Sequence, residues 1–169
     1  MSSSAMTDFL VQELDVEIAT TRRALERVPA DKGPFVPHTK SMPLNRLAPH
    51  VAQLPRFGHT VLTTPALDFS KGSFTPLPFE GPAQLVRAFD DGAATLRSAL
   101  AGMSDSGWND GWSLSFEGRR IYSGSRFLAY RQMFLNHLVH HRAQLGVYLR
   151  LNDVPVPATY GPSADDTGF

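Results

Sequence analysis

The chain of 169 residues contains no cysteine. Disulfides, thiolate metal ligands, iron–sulfur ligation and a cysteine nucleophile are therefore excluded, which leaves imidazole and carboxylate as the main metal-binding side chains. Net charge is missing too. Sixteen basic residues cancel sixteen acidic ones, no dense Lys/Arg block occurs, and a surface that tracks nucleic-acid phosphates is not expected. No run of about eighteen apolar residues is present, and residues 1–8 lack the charged and apolar regions of a secretory signal. These absences predict a soluble, cytoplasmic protein with neither nucleic-acid nor membrane partners. Also absent are a Gly-x-Ser-x-Gly elbow, a phosphate-binding Gly-rich loop ahead of a helix and a dinucleotide fingerprint.

What is present is helical periodicity, in a length suited to one domain spanning residues 1–169. Leu10, Leu14, Ile18, Thr21, Leu25 and Val28 recur at intervals of three and four, so the first helix is placed at about residues 8–27 with Thr7 as its N-cap. The proline-rich stretch 29–38 reads as a loop, and Ser41 as the cap of a second helix at about 43–63. Leu47, His50, Leu54, Phe57 and Val61 share the inner stripe of that helix, while Pro49 and Pro55 predict kinks on either side of His50. Residues 64–81 read as a long connection. Pro82 then opens a third helix, in which Leu85, Phe89, Ala93, Leu96 and Leu100 face inward until Gly102 stops it. Between the glycines of 108–125, residues 112–116 can pair with 119–122 about a turn at Glu117 and Gly118, a short β-hairpin before the last helix. The fourth helix, about 125–151, is the longest uninterrupted pattern. The fold class predicted is all-α, a four-helix bundle with long loop connections.

The fourth helix carries His137 and His141. Four residues turn through about 400°, so their imidazoles leave one face roughly 40° apart and can meet one ion. Tyr130, Met133, Phe134, Gln144 and Tyr148 fall on the same stripe. A lone histidine on an apolar face is usually a hydrogen-bonded core residue, as His50 would be if it stood alone. A pair at i and i+4 in mid-helix is rarer, because two unsatisfied rings would each cost about 1–3 kcal/mol. Metal ligation is the reading that explains the pair and His50 together. His140 lies about 60° from His137 on the other side of the stripe, as a substitute ligand or a cavity-lining residue. Leu138, Val139 and His140 separate the pair, so the His-Glu-x-x-His of metalloproteases is missing, as is the Glu-x-x-His of di-iron carboxylate bundles.

The string Asn136-His137-Leu138-Val139-His140-His141-Arg142-Ala143-Gln144-Leu145, with Tyr148-Leu149-Arg150, Val154-Pro155-Val156-Pro157 and Tyr160-Gly161-Pro162 after it, closely resembles the C-terminal half of DinB-like proteins. These are damage-inducible, metal-binding four-helix bundles, unrelated to the polymerase of the same name. Leu47-Ala48-Pro49-His50-Val51-Ala52-Gln53-Leu54-Pro55 resembles the family's helix-two histidine segment, and Leu25-Glu26-Arg27-Val28-Pro29 the end of its first helix. The resemblance implies a single divalent metal held by one histidine of helix two and two of helix four, which match His50, His137 and His141. Zinc, nickel and iron all suit three imidazoles with an open position. It further implies a thiol-dependent transferase or isomerase that uses a low-molecular-weight bacterial thiol; the three-imidazole site itself suits activation of a thiol or water against a small electrophile, a hydrolase included, and a bacterial stress response is the setting expected for a binding module. A non-catalytic binding module and a purely structural metal are the alternatives. Phe57, Tyr130, Phe134, His140 and Gln144 are the expected substrate pocket. On the opposite side of helix four, Leu128, Leu135, Val139, Ala143 and Gly146 form a second apolar stripe rimmed by Arg131, Arg142 and Arg150, which predicts a homodimer unless residues 108–125 or the C-terminal tail cover it.

Overall fold

The computed structural model describes residues 5–72 and 75–167, so the serine run at 2–4 lies outside the described residues. Four helices form the body: α1 (Ala5–Glu26), α2 (Leu44–Thr63), α3 (Pro82–Ala101) and α4 (residues 126–151). α3 packs on α1 and α2, and α4 packs on α2 and α1. The inward positions expected from periodicity meet in one core, where Leu14, Leu25, Leu47, Leu85, Phe89, Leu96 and Leu100 are fully buried.

Two caps differ from expectation. α1 already includes Ala5, and Thr7 is a buried residue inside it. The Thr7 hydroxyl donates to the Met103 carbonyl at 3.2 Å and accepts the Trp108 indole N–H at 3.2 Å, tying α1 to the segment after α3. Ser41 does not cap α2. The first amides of α2 instead reach carbonyls of the preceding loop, Leu44 to Phe35 at 3.0 Å and Asn45 to Gly33 at 2.8 Å. That loop is fastened to α4 by the Tyr148 hydroxyl, which donates to the Met42 carbonyl at 2.7 Å. α2 runs through Pro49 and Pro55 as one helical element, and both prolines are buried.

The hairpin forms as β2 (Gly111–Phe116) and β3 (Arg119–Ser125), with Phe116 opposite Arg119. Glu117 and Gly118 have φ of 50° and 75°, the two positive values that a two-residue turn of this twist requires. A bulge between Leu114 and Ser115 sets the upper register. Trp112 and Leu114 point inward and are buried, and the Trp112 ring meets Phe57 edge-on at 6.2 Å. A third strand, β1 (Ala66–Asp68), lies within the expected connection and pairs in parallel with β2. Three residues are too few for an alternation to register against loop composition.

α4 departs from a uniform wheel. Arg126–Leu128 is α-helical, Ala129–Leu135 is π-helical and Asn136–Leu151 is α-helical again. The i→i+5 bonding of the π stretch widens each turn, so its residues rotate less than 100° per step and the first part of α4 falls out of phase with a wheel drawn through the second. Arg126, at the start, is buried. Its guanidinium donates to the carbonyls of Val61, Leu62 and Thr64 at 2.6, 3.0 and 2.8 Å, satisfying the open C-terminal end of α2 with a charged donor.

The outer stripe of α4 is divided. Leu135 is buried, Leu128 is half-exposed, and the C-terminal tail lies along the other end, where Val156 sits against Gly146. Arg142, expected on the rim, is instead buried between α1 and the tail. No helix among the described residues is long and apolar enough to cross a membrane.

Candidate metal centre

His50 comes from the middle of α2, and His137 and His141 from the regular α-helical part of α4, so the one-turn spacing of the pair survives the π stretch before it. One nitrogen from each ring lies within 4.8 Å of the others. The Nε2 atoms of His50 and His137 are 3.2 Å apart. Two nitrogens bound to one ion at about 2.0–2.1 Å stand roughly 3.3 Å apart at a tetrahedral angle, so the pair is already at ligand spacing. The same separation lets one ring donate to the other in the free protein. Ring centroids of 4.5 to 5.0 Å relate all three imidazoles.

The far nitrogens define the tautomers of the α4 pair. His137 Nδ1–H donates to the Met133 carbonyl at 3.2 Å, and His141 Nδ1–H donates to Gln144 Oε1 at 2.7 Å. Each proton is held on Nδ1, which leaves the Nε2 lone pair facing the cluster. All three rings are half-buried rather than core-facing. Burial pushes the His50 pKa down to about 4, with the neighbouring His141 and His137 rings adding to the effect. Burial likewise lowers His137 and His141, against the Met133 carbonyl and Gln144, whose hydrogen bonds raise them. The lowered values favour the neutral rings, with the Nε2 lone pairs of His137 and His141 facing the cluster. The donor set fits a divalent ion of borderline softness.

Close approach of α2 to α4 brings the rings together. A Cβ on Gly58, two turns after His50, would stand 2.8 to 3.0 Å from atoms of the Phe134 ring. Only a glycine admits that ring against the α2 backbone. α3 approaches α2 from another side, at Pro55 and Arg56, through Gly92.

His50 and His137 open onto a cavity of about 370 Å³. Leu54, Phe57, Phe69, Leu77, Leu114 and Met133 supply its apolar surface, and Asn45, Arg46 and Gln53 its remaining polar groups. Of the expected pocket residues, Phe57 lines it. Tyr130 and Phe134 are fully buried in the core beneath, and the Tyr130 hydroxyl has no hydrogen-bond partner among the described residues. Gln144 is exposed and serves His141 from outside. His140 is exposed as well; its ring lies 4.9 Å from His141, and it does not join the three-nitrogen group.

Gln53 and Arg46 were not singled out from sequence, although Arg46, His50, Gln53 and Phe57 recur at helical intervals. Gln53 Nε2 donates to the Thr75 carbonyl at 2.8 Å, and its Oε1 accepts the Leu77 amide at 3.0 Å. It thereby pins the loop that forms one wall. No spacing rule links a helix residue to a loop 22 and 24 positions away.

No family model matches the sequence, and no curated protein matches it. Solved structures do. A DinB-like protein from Bacillus subtilis, YjoA, aligns with a TM-score of 0.62 at 17% identity, covering 92% of this chain and 96% of that one. A DinB-like protein from Bacillus cereus aligns with a TM-score of 0.63 at 19% identity, covering 88% of this chain and 94% of that one. At these identities the likeness establishes a shared fold, the helical bundle of DinB-like proteins.

Proposed function

We propose that this chain is a cytoplasmic, single-domain member of the DinB-like family that holds one divalent metal ion through His50, His137 and His141 and uses it enzymatically. The observation that carries the reading is the convergence of three neutral imidazoles, two with their tautomers set, at the wall of an apolar cavity. A purely structural ion that fastens α2 to α4 would need no such cavity beside it. A bound ion supplies Lewis acidity that makes water or a thiol a better nucleophile near neutral pH. The protein's own residues do the rest. Met133 and Gln144 hold the imidazole protons away from the reacting side, and Phe57, Leu54 and Leu114 exclude water from an apolar substrate. Among the described residues no carboxylate lines the cavity, which disfavours peptide hydrolysis through a glutamate base and favours attack by an ionised low-molecular-weight thiol on a small electrophile, in the manner of a thiol transferase or isomerase. A homodimer through the outer face of α4 belongs to the same reading, since Leu128, Val147 and Leu151 there remain about half-exposed.

Elemental analysis of the purified protein, titration with zinc, nickel and ferrous iron, and conjugation assays with different bacterial thiols test it. One ion per chain with thiol-dependent turnover is expected. A protein that cannot be loaded with any of the three ions overturns the metal centre, and a loaded protein inert with every thiol reduces the site to a binding module.

A further inference from the structure

The cavity's polar groups are not equally free. Gln53 is committed at both ends to the loop wall, and His50 and His137 belong to the metal centre. Arg46 remains, one helical turn before His50 on the same face of α2. Among the described residues it is the only charged one lining the cavity, and its side chain has no ion-pair partner. Backbone amides cannot take its place as an anion site. Those of Leu44, Asn45, Arg46 and Leu47 already donate to the carbonyls of Phe35, Gly33, Pro43 and Pro43.

We propose that Arg46 is a specificity-determining residue that selects small apolar molecules carrying a carboxylate, with the anion on its guanidinium and the apolar body along Leu54 and Phe57 towards the histidines. This rests on the proposed function for what happens at the reacting end, but not for the binding itself. A planar guanidinium matches a carboxylate with two parallel N–H donors, and the Asn45 side-chain amide beside it can add a third. One cation suits a monoanion better than a doubly charged phosphate. The apolar lining would reject a fully polar acid, since nothing else in it repays desolvation.

The test compares 4-phenylbutyrate with its uncharged amide by titration calorimetry on metal-free protein at neutral pH and low salt. Without the ion, a carboxylate cannot gain by ligating metal, and the Arg46→Gln comparison removes any attraction that the histidines exert. The wild type is expected to bind the acid about tenfold more tightly than the amide, the lower range for a hydrogen bond to a charged group because Arg46 is exposed. Arg46→Gln abolishes the preference while leaving amide affinity unchanged, and Arg46→Lys retains part of it. Equal affinities in the wild type, a preference that persists in Arg46→Gln, or failure of both probes to bind overturns the proposal. Zinc titrated alone into the same samples reports on the metal centre independently, so either idea can fail without the other.

Discussion

Arg142 follows directly after the ligand-position His141, and its substitution is the most demanding test of how α4 is held. Its guanidinium donates to the Glu17 carboxylate, to Thr21 Oγ1 at 3.3 Å and, through Nη2, to the Tyr160 hydroxyl at 2.7 Å. That hydroxyl in turn donates to the other Glu17 oxygen at 2.8 Å. Arg142 and Glu17 side chains are 3% and 8% exposed, so water cannot replace a lost partner. Removing one member of a buried pair leaves the other charge uncompensated and costs about 3–5 kcal/mol, whereas replacing both by apolar groups is often nearly neutral. Arg142→Met should therefore lower the melting temperature of the metal-free protein by roughly 6–20 °C, taking about 2–4 °C per kcal/mol for a domain of this size. Arg142→Met with Glu17→Leu should recover most of that. Arg97→Met provides the comparison, because its bidentate pair with Asp15 is 51% and 45% exposed and such pairs contribute only about 0.2–1 kcal/mol. Thermal melts and urea titrations of the four proteins decide the matter. If Arg142→Met costs no more than Arg97→Met, the network does not organise the α1, α4 and tail junction and the reasoning fails.

His137→Ala and His141→Ala should each abolish most metal affinity, while exposed His140→Ala changes little; calorimetry giving equal losses for all three would mean the ligand set is wrong. A saturating ion should stabilise the wild type by about 2.7 kcal/mol at a hundredfold excess over Kd, and a melting temperature unmoved by chelator would contradict native-state binding. The pH dependence follows from the lowered histidine pKa values. Because unfolded His50 takes up a proton near 6.5 and the folded residue only near about 4, stability of the metal-free protein should be complete above the unfolded value and fall through that window as pH drops. The His50 share of the loss is about 1–2 kcal/mol after discounting for partial solvent access, and a His50→Ala variant should show a shallower decline in denaturant titrations at pH 7 and pH 4.5. Gly58→Ala should force Phe134 from the α2 backbone at a cost of about 1–3 kcal/mol and weaken zinc binding with it; Phe134→Leu in the same chain should restore both, and an unchanged zinc affinity in Gly58→Ala would show that helix spacing does not set the site.

How much was legible in the chain can be argued element by element. Local rules sufficed for α1, α2 and α3, because each has an apolar stripe repeated over 20 or more residues. The Glu117-Gly118 turn was equally local, since Gly118 takes up a positive φ without steric cost between two short alternating runs. The nearness of the His137 and His141 rings, 4.6 Å between centroids, needs only one turn of helix. Partners distant in sequence left no such trace. Neither β1 against β2 nor Arg126 on the carbonyls of Val61, Leu62 and Thr64 has a periodic signature. The placement of Tyr130 and Phe134 in the core rather than in the cavity shows the limit of a wheel. A wheel assumes constant rotation, and Ala129–Leu135 does not obey it.

Composition and periodicity by themselves determined the all-α body, the absence of any cysteine side chain as ligand or nucleophile and the facing of two imidazoles from one helix, since each is read from residue types or from residues within a few positions of one another. That His50 meets that pair within 4.8 Å was decided only by the packing of α2 on α4, where a glycine admits an aromatic ring against the backbone. The cavity beside it was decided the same way, by β2, the 75–77 loop and α2 closing on one another. Its contents follow from contacts between residues far apart in the chain, and only tertiary structure sets those distances.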